Sequence, residues 1–324
     1  MIASQLPAAL KAALDALAHG QSRQQVAGRA EKISNAYRSG GNSRTITHSD
    51  DALAYAMARM PATYAATAAS LIELAAAKPD FSPASLIDVG AGPGTASWAA
   101  EAVLPSLERF VMLDRNPALR DIAKNLAEGS LALHAADYRL GDAAALLGKA
   151  DAADLVIASY LIGELTEADQ RALVDAMWDR AADTLLIVEP GTPAGYARLM
   201  TARRHLVARG AHTLAPCPHD DACPLAAPDW CHFSQRLARS RDHKRVKNAD
   251  VPFEDERFSY IAMSRQPSAT RAARILRPPV QTKADISAQL CTAQGLSTRR
   301  VPRRDKPAYA EARHWRWGDG LAEA

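Results

Sequence analysis

The segment Asp88-Val89-Gly90-Ala91-Gly92-Pro93-Gly94-Thr95 constrains the fold more than any other stretch, because it separates a short apolar run from a helical one. Glycines at 90, 92 and 94 remove the Cβ atoms that would crowd a tight turn and allow positive φ there. A strand-turn-helix unit is therefore expected. Further short runs rich in Val, Ile and Leu occupy 86–89, 110–113, 131–135, 155–158 and 185–188, and they alternate with helical segments such as 168–180. Five strands separated by helices predict a parallel sheet covered on both faces, a doubly wound α/β core. Runs at 258–264 and 285–290 are two further strand candidates that would complete a seven-stranded, mostly parallel sheet.

Before this core, apolar residues recur at helical spacing through 6–17, 52–60 and 64–77, with Ser49 and Asp50 placed as caps. The expected organisation is a helical region at 1–80, an α/β core at 81–210 and a final part at 211–324 holding a Cys-rich insertion and a basic tail. With 48% hydrophobic and 23% charged residues the composition is that of a globular protein. Apolar stretches fall well short of the ~20 residues that span a bilayer. The N-terminus lacks the basic opening and apolar stretch of a secretory signal, so a cytoplasmic, prokaryotic chain is expected, or one already processed. Charge is uneven: residues 1–190 hold 16 Lys/Arg against 23 Asp/Glu, a net −7, and 191–324 hold 23 against 13, a net +10. Such asymmetry points to a basic face for a polyanion on the C-terminal half.

The glycine spacing says which ligand suits the turn. Gly90-x-Gly92-x-Gly94 lacks the final x-x-Gly of the pyrophosphate fingerprint, and Pro93 has no N–H for a phosphate. S-adenosylmethionine carries no phosphate and loses nothing by either absence. Asp114, 20 residues after Gly94, ends the second strand, where a carboxylate can accept both ribose hydroxyls; Asp137 follows the presumed third strand, towards the adenine. These residues resemble the motifs of class I methyltransferases, spread over 85–190. The resemblance implies contact with the methionine part by Asp88 and the turn (Gly90, Gly92, Gly94), with ribose by Asp114 and with adenine near Asp137. At the fourth strand, Ser159-Tyr160-Leu161-Ile162-Gly163-Glu164 departs from the Asn/Asp-Pro-Pro-Tyr sequence of amino-directed nucleic-acid methylases. Cys217, the nearest cysteine, lies too far on for a carbon-5 pyrimidine mechanism. Glu164 is read as a base or a structural acid, and methyl transfer itself chiefly needs positioning.

All four cysteines fall in the last third: Cys217, Cys223 and Cys231 within 15 residues, and Cys291 far downstream. Clustering in a proline-bordered loop favours metal ligation over scattered apolar burial. Four thiols suffice for zinc or an iron–sulfur cluster, with His219 and His232 as rival zinc ligands. Directly after this loop come Arg236, Arg239, Arg241, Lys244, Arg245 and Lys247, read as phosphate contacts or as a solvated face. A second basic group, Arg299, Arg300, Arg303, Arg304 and Lys306, precedes Tyr309, Trp315 and Trp317.

The sequence 230–241 (Trp-Cys-His-Phe-Ser-Gln-Arg-Leu-Ala-Arg-Ser-Arg), together with 254–260, 188–193 and Arg277-Pro278-Pro279, resembles the methyltransferase-like proteins of the mitochondrial small ribosomal subunit and their bacterial relatives. The likeness runs over most of 50–318. It implies a [4Fe–4S] cluster on Cys217, Cys223, Cys231 and Cys291, with zinc as the alternative. It further implies S-adenosylmethionine as cofactor and a role in assembling the small ribosomal subunit through contact with its rRNA. An active rRNA methyltransferase and a zinc-stapled small-molecule methyltransferase are the alternatives. Eukaryotic relatives would work in the mitochondrial matrix, and the free protein is expected to be a monomer with no membrane partner.

Overall fold

A computed structural model describes residues 5–39, 41, 43–239, 251–268 and 272–321. Its centre is a sheet of β1 (Ser85–Val89), β2 (Arg109–Asp114), β3 (Asp137–Leu140), β4 (Ala153–Ser159), β5 (Ala181–Pro190), β6 (His212–Ala215), β7 (Phe233–Ala238) and β8 (Phe253–Ser264). The strand order is β3-β2-β1-β4-β5-β8-β6, with β7 alongside the first half of β8. β1 to β5 are mutually parallel. β8 runs antiparallel to β5, β6 and β7.

Successive strand residues point to opposite faces, and both faces here are covered. Leu86, Met112, Ile157 and Val188 face α1 (Ala8–Ala18), α3 (Ser49–Ala77), α4 (Thr95–Val103) and α5 (Pro117–Leu126). Ile87, Leu113, Val156 and Ile187 face α7 (Ala143–Leu147), α8 (Glu167–Arg180) and α9 (Pro193–Ala208). Burial on both sides explains why the central strands read as unbroken apolar runs. The two helical stretches expected at 52–60 and 64–77 are one 29-residue helix, α3, which continues through Pro61. At its start the Asp51 carboxylate accepts from the Thr47 and His48 N–H groups at 3.3 and 3.2 Å. The other N-terminal helix is α2 (Arg23–Arg38).

Two strand expectations are corrected. Residues 131–135 begin not with a strand but with the short helix α6 (Leu131–His134), whose N-cap Ser130 Oγ accepts from Leu133 N at 3.1 Å. The third strand is 137–140 instead. The run at 285–290 lies in β11 (Asp285–Thr292), which leaves the main sheet and joins a second one with β9 (Ala273–Ile275), β10 (Val280–Gln281), β12 (Gly295–Pro302) and β13 (Gly320–Leu321). The main sheet is completed by β6 rather than by 285–290. α10 (Lys306–Ala312) packs against the second sheet. Among the described residues, no helix is long and apolar enough to cross a membrane.

Candidate functional site

The carboxyl edge of the main sheet carries the glycine turn. Gly90 has φ +71°, a backbone angle that favours glycine, and a Cβ there would sit 2.7 Å from Leu161 Cδ1, so that side chain would have to turn aside. Asp88 is buried beneath the turn; its Oδ2 accepts from Ser97 N at 3.1 Å and Ser97 Oγ at 2.8 Å, anchoring the first turns of α4. Burial, with the nearby Asp114 adding to it, pushes the Asp88 carboxyl up to about 7. Asp114 ends β2: Oδ1 accepts from Asn116 N at 2.8 Å and Oδ2 from Gly92 N at 2.9 Å. Burial raises this carboxyl too. The Arg115 N–H also bonds this carboxylate, whose two oxygens together have about four acceptor positions and so keep room for a further donor.

Contrary to the expectation from the sequence, Asp137 does not follow the third strand. It opens β3, paired with Val111, whereas Leu140 pairs with Asp114 at the carboxyl edge. Its exposed side chain is taken by Arg139 Nε at 2.7 Å. The residue after the third strand is Gly141, followed by Asp142, which caps α7. Nearer the turn is Tyr138, whose hydroxyl donates to Gly92 O at 2.7 Å.

Beside the turn stands the loop after β4. Tyr160 holds φ +57°, uncommon for a residue with a side chain, and its hydroxyl donates to Glu256 Oε1 at 2.8 Å. Glu189, wholly buried, holds the loop from below: it accepts from Ile162 N at 3.1 Å, Gly163 N at 3.4 Å and Arg198 Nε at 2.9 Å. Glu164 accepts from Ser43 N at 3.3 Å, and burial raises its carboxyl. Asn116 Nδ2 donates to Ser43 O and Ile46 O at 3.0 and 2.9 Å. The connector before α3 is thus tied across the carboxyl edge from both sides.

The second constellation lies at the junction of the two sheets. Cys217, Cys223 and Cys231 come from the irregular segment between β6 and β7, and Cys291 from β11; all four line one cavity together with Tyr196, Tyr260 and Arg274. Cys217 and Cys291 are buried, the other two partly so. Burial raises the thiols of Cys217, Cys231 and Cys291, and the neighbouring cysteines add to it. His219 Nε2 lies 3.6 Å from Cys291 Sγ. Among the described residues, no three His, Cys, Asp or Glu side chains close tightly enough for a single metal ion.

Two buried arginines frame this cavity. Arg203 of α9 donates to Asp221 O at 2.8 Å and also to His219 O, bracing the cysteine segment. Arg274, directly across from Cys291 between β9 and β11, donates to Pro216 O at 3.2 Å and Gly318 O at 2.6 Å and pairs with Glu73 of α3. Neither arginine stands out in the sequence, and Tyr260 does so only as the end of the family-like segment 254–260. Nothing in the local pattern marks an arginine for burial, since its partners lie 58 and 201 positions away.

Of the basic residues read as phosphate contacts, Arg236 makes two 2.7 Å bonds to Asp255 and lies over Phe253, and Arg239 reaches Glu254 at 3.5 Å. Both are therefore engaged by acids of β8. Arg241, Lys244, Arg245 and Lys247 lie outside the described residues.

Strand order β3-β2-β1-β4-β5-β8-β6 with one reversed strand, a glycine turn after β1 and a carboxylate closing β2 define a class I S-adenosylmethionine-dependent methyltransferase-like fold with added N-terminal helices. Within that class the chain belongs to the Rsm22 family, described as mitochondrial small ribosomal subunit Rsm22, whose model matches residues 49–322. It is 29% identical over 290 residues to human "Ribosome assembly protein METTL17, mitochondrial", covering 83% of this chain and 62% of that protein. It is 26% identical over 338 residues to "Rsm22-cox11 tandem protein 2, mitochondrial" of Schizosaccharomyces pombe, covering 86% and 44%. The chain thus spans less than two thirds of the length of either relative. Among solved structures, the magnesium protoporphyrin IX methyltransferase of Synechocystis PCC 6803 superposes with a TM-score of 0.42 at 12% identity, over 64% of this chain and 85% of that one.

Proposed function

We propose that this chain is an S-adenosylmethionine-binding, iron–sulfur-containing factor that acts in assembly of the small ribosomal subunit by binding its rRNA. The observation that carries the reading is the meeting of four cysteines, one of them 60 positions after the third, on a single cavity in a chain of the Rsm22 family. The donor set fits a [4Fe–4S] group: four soft thiols surround a cavity rather than a point, and the buried guanidiniums of Arg203 and Arg274 offset negative charge there. Cys217, Cys223, Cys231 and Cys291 would hold it, and its contribution is structural cross-linking or electron storage. Anaerobic purification with iron, sulfide and zinc analysis tests this. Zinc without sulfide would favour the zinc alternative, for which His219 beside Cys291 is a ready ligand.

For the cofactor, Asp88, Gly90, Gly92, Gly94 and Asp114 fit a nucleoside bound at the turn, because Asp114 keeps acceptor capacity beyond its backbone N–H bonds. Asp114→Ala should weaken S-adenosylmethionine binding at least tenfold, since each hydrogen bond to a charged group contributes about 1.5–3 kcal/mol. Equal affinities by calorimetry would remove Asp114 from the site. Whether a methyl group reaches RNA is decided by transfer from labelled cofactor to small-subunit rRNA.

For rRNA, binding should weaken steeply with salt, each neutralised phosphate contributing roughly −0.7 to the slope of log K against log salt on single strands. Replacing Lys244, Arg245 and Lys247 by Ala should flatten the slope by about 2. Arg236→Ala should change it little, because Asp255 already holds that guanidinium. A triple variant with the parental slope would show that those charges face only water.

A further inference from the structure

Tyr260 lies in β8, on the strand face that turns towards the four cysteines. Its ring is packed, 5.5 Å from Phe233 and 6.1 Å from Phe258, centroid to centroid, so the side chain has no freedom to swing out to solvent. Its residue is 3% exposed. Yet its hydroxyl has no hydrogen-bond partner among the described residues, and the residue lines the same cavity as the four thiols. A buried hydroxyl without a partner is costly to keep. Its neighbour Ser259 spends its own hydroxyl on Cys231 O at 2.8 Å, fixing the backbone at one of the cysteines.

We propose that the Tyr260 hydroxyl donates a hydrogen bond to a sulfur atom of the group held by Cys217, Cys223, Cys231 and Cys291, and so sets that group's redox poise. The inference rests on the iron–sulfur reading of the cavity. A phenol is protonated at neutral pH and is therefore a donor, and sulfur, whether thiolate or inorganic sulfide, is the acceptor that four cysteines and a cluster bring to this cavity. Hydrogen bonds to cluster sulfurs stabilise the more negative, reduced state and raise the reduction potential. Tyr260 is a positioning and tuning residue here, with no part in any methyl transfer.

The test is Tyr260→Phe in the full chain, which removes one oxygen and leaves the aromatic packing. In metal-free protein the variant should melt at or above the parental temperature, because an unpaired hydroxyl has been removed. In the iron-loaded protein the order should reverse. The midpoint potential of the loaded variant, from a titration followed by electron paramagnetic resonance, should move to more negative values with iron and sulfide content unchanged.

Equal potentials, together with the same melting order in the loaded and metal-free states, would overturn the role of Tyr260 while leaving the cluster standing. Parental protein that carries no sulfide would instead overturn the cluster reading and this inference with it. Should the variant fail to load, the Fe–S vibrational bands of the parental protein supply the answer. They should shift in deuterated water, and bands that do not move would sink the proposal.

Discussion

Cys291→Ser is expected to strip most of the iron from the protein, bleach its visible absorption and lower the stability of the C-terminal half far beyond the ~1 kcal/mol of an ordinary substitution. Cys291 belongs to β11, paired with Arg274 of β9 on one side and with Leu296 of β12 on the other, whereas its three companions lie in the segment between β6 and β7. A group bound by all four therefore joins the second sheet to the first. Binding then becomes folding free energy, on the order of 10 kcal/mol by analogy with structural zinc sites. The metal-free forms of parent and variant should differ much less, since serine replaces a small buried thiol and the cross-link is absent from both. Comparing melting with and without iron isolates the ligand role. A Cys291→Ser protein with full iron, an unaltered spectrum and normal melting would exclude Cys291 and leave three cysteines with His219 as the candidate fourth donor.

The strands that were legible in the sequence are those buried on both faces. β1, β2, β4 and β5 fall on apolar runs because helices cover them from either side. β3 was hidden: Asp-Tyr-Arg-Leu is an edge strand with half its residues exposed, so it carries no apolar run. The run read in its place contains Leu131, which is 95% exposed, so the helix gains little from that side chain. The 285–290 segment showed a strand but not its sheet. Ile286, Ala288 and Leu290 alternate with less buried residues, the period of a strand covered on one face, and that alternation says nothing about which neighbour pairs with it.

The candidate sites were legible to the extent that residue type carries the chemistry. Cysteines in a proline-bordered loop and glycines after a strand announce themselves. The supports around them do not. Glu189 was visible only as part of a family-like sequence, and its reason lies in the loop after β4, whose N–H groups it accepts. Gly191 in the same sequence has a steric reason: a Cβ there would lie 2.7 Å from the backbone of Arg257 and Phe258. Asp137 opens β3 instead of following it because the apolar run before it, at 131–135, begins with a helix and not a strand. Arg203, Arg274 and Tyr260 become significant only when distant segments meet.

Arg274→Met should destabilise the protein by about 3–5 kcal/mol, the range for breaking a buried ion pair from one side. Three segments depend on this guanidinium: Glu73 of α3, the Pro216 carbonyl that precedes Cys217, and the Gly318 carbonyl in the turn before β13. Methionine keeps much of the volume and forms none of these bonds. Two carbonyls then lose a donor, and Glu73 loses its counter-charge. Glu73→Gln should also be costly, because it leaves the buried Arg274 guanidinium without its counter-charge, although both carbonyls and the amide oxygen still accept from it. Arg274→Lys should fall nearer to Met than to the parent: an ammonium can meet Glu73, but it lacks the planar fork that reaches both carbonyls as well. Because Pro216 and Gly318 flank the cysteine cavity from opposite sides in sequence, the Met variant should also load iron less completely. Denaturant melts of metal-free protein give the stability term alone. Parental stability in Arg274→Met would mean that these contacts contribute nothing net, and that the second sheet is held to the first by the bound group and by apolar packing.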